Sequence, residues 1–102
     1  MLLGIKERLA IVQMLPENGS IVEMVDIIEI MKKVRIDQEE KIQIDYKEED
    51  GRISWNSNAD EGKEVEFKYE EIAILKAAVK KLDEGKRVTP ANLDICLKIN
   101  SL

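Results

Sequence analysis

Ser20-Ile21-Val22-Glu23-Met24-Val25-Asp26-Ile27-Ile28-Glu29-Ile30-Met31-Lys32-Lys33 is the stretch on which the reading of this chain turns. Its β-branched content would suit a strand. Glu23, Asp26 and Glu29, however, recur at every third residue, which makes one narrow stripe on a helix and no single face of a strand. Ser20 and Glu23 have the S-x-x-E spacing of a capping box, in which each side chain takes up an orphan backbone N–H of the other residue. Lys32 and Lys33 suit the negative pole of the helix dipole. A helix with so wide an apolar surface is either central in the core or half covered by a partner. With Ile21, Val25 and Ile28 packed inward, Ile27 and Ile30 are left on a second face and become candidate interface residues.

On the N-terminal side, Ile5, Leu9 and Val12, flanked by Ile11 and Leu15, give helical spacing over Leu3 to Met14, and Pro16-Glu17-Asn18-Gly19 is turn chemistry. On the C-terminal side, Asp37 and Glu40 repeat the capping-box spacing and predict a short third helix. Then the period changes: Ile42, Ile44 and Tyr46 alternate with polar residues, as do Ile53 with Trp55 and Val65 with Phe67 and Tyr69. Asp50-Gly51 is a favoured dipeptide of a tight hairpin. The region 42–47 remains open between strand and helix. A fourth helix is expected over Glu70 to Glu84, with Ile72, Leu75, Val79 and Leu82 as its stripe and Gly85 as its C-cap. Thr89-Pro90 then reads as an N-cap and first helical residue of a last helix. The expected fold is α+β, one domain over residues 1–102, with four to five helices and a small antiparallel hairpin or three-stranded meander.

Composition limits the chemistry. The chain has 102 residues, 36% of them charged, and a formal net charge of −5. It has no histidine, which removes the commonest general base and metal ligand. Cys96 is the single cysteine, so no internal disulfide forms and a zinc site lacks ligands. Neither a glycine-rich phosphate loop nor a Ser-centred nucleophile elbow is present. The expectation is a cytoplasmic protein without signal peptide, membrane span, catalytic residues, metal or cofactor.

Leu15-Pro16-Glu17-Asn18-Gly19-Ser20, Asp50-Gly51-Arg52-Ile53-Ser54-Trp55-Asn56, and the run from Ile74-Leu75-Lys76 through Lys80-Lys81-Leu82-Asp83 to Val88-Thr89-Pro90 carry a resemblance. The chain resembles a family of small uncharacterised proteins encoded by bacteriophages and prophages. The resemblance covers most of the chain, rests on structural motifs and transfers no functional residue. It implies a bacterial cytoplasm and a phage programme. The element order also looks like a winged helix-turn-helix domain, whose third helix would enter the major groove with the hairpin as wing.

Charge weighs against a nucleic-acid ligand. Residues 37–71, which hold both of those elements, contain 13 acidic and 5 basic residues. Affinity for nucleic acid comes largely from cations placed at phosphates, and a groove reader beginning Gln38-Glu39-Glu40 repels them. Two basic clusters remain: Lys32, Lys33 and Arg35, and Lys76, Lys80, Lys81, Lys86 and Arg87. They form an anion or nucleic-acid patch if the two helix ends adjoin, and solvated, dipole-compensating lysines otherwise. Glu48, Glu49 and Asp50 lack the spacing of a calcium loop. Cys96, beside Leu93 and Leu97, reads as a small core residue rather than an activated thiol. Trp55 is a core anchor if it faces the helices and an interface anchor if it faces solvent; its alternation with Ile53 favours the core.

The resulting expectation is a non-enzymatic, protein-binding accessory or regulatory module, self-association to a homodimer included, with a winged-helix DNA-binding regulator as the alternative. The charge layout predicts that duplex DNA is not retarded by this chain in a low-salt mobility-shift assay. A retarded complex that dissolves as salt rises would identify the basic helix ends as a phosphate-binding surface.

Overall fold

The computed structural model describes residues 1–102. In chain order the elements are β1 (Leu2–Leu3), α1 (Ile5–Met14), α2 (Ile21–Val34), α3 (Gln38–Gln43), β2 (Lys47–Glu49), β3 (Arg52–Ser54), a 3-10 turn (Ser57–Ala59), β4 (Lys63–Glu64), α4 (Tyr69–Glu84) and α5 (Leu93–Asn100). The class is α+β, as the sequence predicts. No helix is long and apolar enough to cross a membrane.

Helix starts follow local chemistry. Ser20 Oγ accepts the Glu23 N–H at 3.1 Å while Glu23 Oε1 accepts the Ser20 N–H at 3.2 Å, so the capping box of α2 forms. Those bonds hold the Glu23 carboxyl below its usual range. Asp37 Oδ1 takes the Glu40 N–H at 2.8 Å and starts α3. α1 is capped from a distance: Asp60 Oδ2 accepts the Ile5 N–H at 2.9 Å and its Oδ1 the Gly62 N–H at 3.1 Å. Pro16 ends α1 as expected.

One open reading is resolved and three expectations about the elements need correction. Residues 42–47 do not make one strand. The helix begun at Asp37 carries Lys41, Ile42 and Gln43 with it, Asp45 takes a positive φ of 55°, and the strand starts only at Lys47. Asp50 and Gly51, at φ 50° and 75°, then make the tight turn, with Lys47 opposite Ser54 and Glu49 opposite Arg52. Val65, Phe67 and Tyr69 do not extend that hairpin into a meander. Instead Lys63–Glu64 pairs antiparallel with Leu2–Leu3, and the Val65 N–H reaches Met1 O at 2.9 Å. α1 accordingly begins at Ile5, because Leu2 and Leu3 are drawn into that ladder. Finally, Thr89-Pro90 forms a turn, with the Asn92 N–H on Thr89 O at 3.1 Å, and α5 starts at Leu93.

The core is aliphatic. Leu3, Ile11 and Leu15 meet Ile27, Ile30 and Val34 of α2, Leu75 and Val79 of α4, and Ile95, Cys96 and Ile99 of α5. This reverses the expected rotation of α2. Ile27 and Ile30 are at most 2% exposed, so neither serves an interface in this chain. The physical reason is that Ile27, Ile30 and Val34 form an unbroken apolar line, whereas the line through Ile21, Val25 and Ile28 runs on into Lys32, whose burial would cost the desolvation of an ammonium.

Two charged side chains are nevertheless buried. Arg8 lies within the fold and makes a bidentate pair with Glu40, its Nη1 donating to Oε1 at 2.8 Å and its Nη2 to Oε2. Its Nε has no partner. This pair ties α1 to α3. Glu71 on α4 is buried and takes the Lys33 ammonium from the end of α2. Removing one member of such a pair strands the other charge. Glu40→Ala is therefore predicted to lower the unfolding free energy by about 3–5 kcal/mol in urea titration, and the double change Arg8→Met, Glu40→Leu to lower it far less.

Candidate functional site

α2 presents two apolar faces about 150° apart around its axis, at 3.6 residues per turn. The inner one is spent on the core. The outer one carries Ile21, Val22, Val25, Ile28 and Met31, all between 40% and 85% exposed. Val12 of α1 is exposed beside it. Together these side chains leave on the order of 500 Å² of apolar surface in water, near the upper end of what an ordinary monomer shows in one patch. The sequence reading assigned this role to Ile27 and Ile30, which lie on the opposite side of the same helix. The signal that distinguishes the faces was present: Lys32 continues the 21–25–28 line, so that line is the one that reaches water.

At its C-terminal end the stripe runs into a groove of about 380 Å³ between α1, α2 and the turn after α3. Its apolar wall includes Leu9, Val12, Ile28, Met31, Ile36 and Tyr46. All its charged lining residues are cations: Arg8, Lys32, Arg35 and Lys41. Lys41 Nζ lies 5.1 Å from the Tyr46 ring centre, a cation–π contact. Burial, with Glu48 nearby, pushes the Tyr46 hydroxyl up from its ordinary value, so it stays protonated at neutral pH.

The other sequence candidates are scattered. The two basic clusters do not merge. Lys33 meets Glu71 in the first turn of α4, while Lys80, Lys81, Lys86 and Arg87 lie at or beyond its other end, about 14 Å further along the axis. Lys32 pairs with Glu29 at 3.3 Å and Lys80 with Glu84 at 3.8 Å, as solvated helix lysines do. Arg35, Lys81, Lys86 and Arg87 are exposed. Trp55 is half-buried and lines a small cavity with Leu9 and Ala10 of α1 and Ala91 before α5, while Ile53, on the same face, is 38% exposed. The hairpin is thus anchored by the end of one strand rather than by a buried face. Cys96 is buried, which raises its thiol pKa, with Asp83 adding to the shift.

A second, larger cleft of about 530 Å³ lies between α3 and the loop before β4, lined by Asp37, Glu39, Glu40 and Glu61 with Lys63 as its one cation. No three Cys, Asp or Glu side chains converge there or elsewhere to hold a metal ion.

The Lys33–Glu71 pair joins the last turn of α2 to the first turn of α4. Burial alone would raise the Glu71 pKa, but the Lys33 hydrogen bond and the Lys68 N–H at 2.7 Å outweigh it, and the carboxyl is held below 4.5. A carboxyl depressed on folding stabilises the fold above its unfolded pKa, and that stability is lost as pH falls through the lower folded value. Glu71→Gln is predicted to cost about 1–3 kcal/mol at pH 7 and to flatten the loss of stability below pH 4.5, measured by thermal unfolding across pH. In comparisons with known proteins, no family model, no curated protein and no solved structure matches this chain.

Proposed function

We propose that this chain is a non-enzymatic accessory or regulatory module of the cytoplasm that acts by binding protein through the outer face of α2. The observation that carries the reading is that one helix exposes a continuous row of aliphatic side chains on the side opposite the core. The parts of these five side chains left in water give nothing to the isolated fold. Covered by a partner, each returns about 1–2 kcal/mol by leaving water, which is the energy scale of a specific contact. The largest apolar patch on a monomer, of about 300–600 Å², is often its functional surface.

A nucleic-acid role finds less support. The candidate groove reader α3 carries Glu39 and Glu40, and the latter is held by Arg8. The basic groups lie at separate ends of the helices. Association with phosphate would therefore gain few released counterions.

A photocrosslinking side chain placed at Val22 or Val25 is predicted to join the chain to a discrete polypeptide in cells. The same group at Glu49 or Glu84, exposed positions remote from the stripe, should join it to none. Crosslinks at all four positions alike, or at neither α2 position, would contradict the reading.

A further inference from the structure

We propose that the polypeptide covering this face is a second copy of the chain, its α2 packed antiparallel to the first about a two-fold axis. The proposal rests on the reading of the outer α2 face as a contact surface and names the occupant.

The spacing of the outer row is compatible with its own copy. Ile21, Val25, Ile28 and Lys32 follow one another at steps of four, three and four residues. That is the seam spacing of paired helices, in which side chains of one helix fill the gaps of the other. A two-fold interface uses the same patch on both copies, so one such row suffices for both sides.

Charge then chooses the direction. Parallel pairing would set Lys32 beside its own copy at the centre of the seam. Antiparallel pairing carries each Lys32 to the far end of the other helix, over the turn that holds Glu17. Glu17 is exposed and makes no ion pair within its own chain. Arg35, at the C-terminal end of α2, and Glu17, before its N-terminus, are brought to the same ends by this arrangement. The opposed helix dipoles favour it as well.

The area agrees. A specific interface covers roughly 800 Å² on each partner. The apolar stripe supplies on the order of 500 Å² as its centre. Lys32, Arg35, Glu17 and Glu29 at its margins supply a polar rim of the usual kind.

Sedimentation of the full chain from about 1 to 200 μM tests this. The expected result is a concentration-dependent dimer. Val25→Asp with Ile28→Asp should raise its dissociation constant at least about 100-fold, and because both residues face water, circular dichroism should show the fold retained. Lys32→Glu should weaken the dimer about 10-fold at low salt, and adding Glu17→Lys should restore it, because the reversed pair re-forms across an antiparallel seam. A chain that stays monomeric throughout, while its α2 crosslinks to a different polypeptide, overturns the second copy and leaves the contact role standing. A dimer indifferent to Val25→Asp and Ile28→Asp overturns both. A dimer broken by those changes but not rescued by Glu17→Lys overturns the antiparallel arrangement.

Discussion

The Glu71 carboxylate, removed from water and shared between the Lys33 ammonium and the Lys68 N–H, is the contact on which the rest of the molecule depends. It joins the last turn of α2 to the first turn of α4. A helix with one apolar face finds its rotation by burying that face. α2 has two, and a second constraint must choose between them. With Lys33 held at Glu71, the line Ile27–Ile30–Val34 faces Leu75 and Val79, and the line Ile21–Val25–Ile28 faces outward. The ion pair holds α2 in the rotation that the apolar line Ile27–Ile30–Val34 and the water-seeking Lys32 select. The hydrogen bonds to Glu71 outweigh its desolvation, so the pair contributes stability at neutral pH as well as a fixed join between the helices.

Arg8 and Glu40 do the same for the other side of the fold. α3 is only six residues long and has no buried side chain of its own. Its position on α1 is fixed by the two parallel hydrogen bonds of a guanidinium–carboxylate pair, a geometry that specifies direction as well as distance. A chain with one Phe, one Trp and two Tyr has few large side chains with which to build such joints from apolar contact. Ionic joints between aliphatic layers are consistent with that composition and with the high fraction of charged residues.

Much of the architecture was legible where a local rule governs it. The Ser20–Glu23 box, the Asp37 cap and the Asp50-Gly51 turn act within a few residues and appear as read, and of the expected α4 stripe Leu75 and Val79 are buried while Ile72 and Leu82 are only partly so. The misreadings share a different cause, which is competition settled by distant residues. Ile42 to Tyr46 alternates like a strand, but the helix nucleated at Asp37 runs through its first half and the chain turns at Asp45. Val65, Phe67 and Tyr69 alternate too, yet the ladder next to them pairs with Leu2 and Leu3, more than 60 residues away, a partner no local pattern names. α2 was recognised as over-apolar, but its rotation was assigned the wrong way round. Each of its two apolar lines carries one charge at an end, Glu23 before Ile27 and Lys32 after Ile28. Glu23 sits in the capping turn at the open end of the helix, where its charge is satisfied by Ser20, so it does not bar its line from the core. Lys32 has no such exemption. The carboxylate partners, half-buried Glu40 and buried Glu71, were unrecognisable among 21 acidic residues until the helices brought Arg8 and Lys33 to them.

The claim that α2 divides its apolar residues between the core and an open contact face is tested most directly by methyl NMR with a soluble paramagnetic probe at low protein concentration. The account predicts strong line broadening at the δ-methyls of Ile21 and Ile28 and protection at Ile27 and Ile30. Broadening of Ile27 or Ile30 equal to that of Ile21 would contradict it.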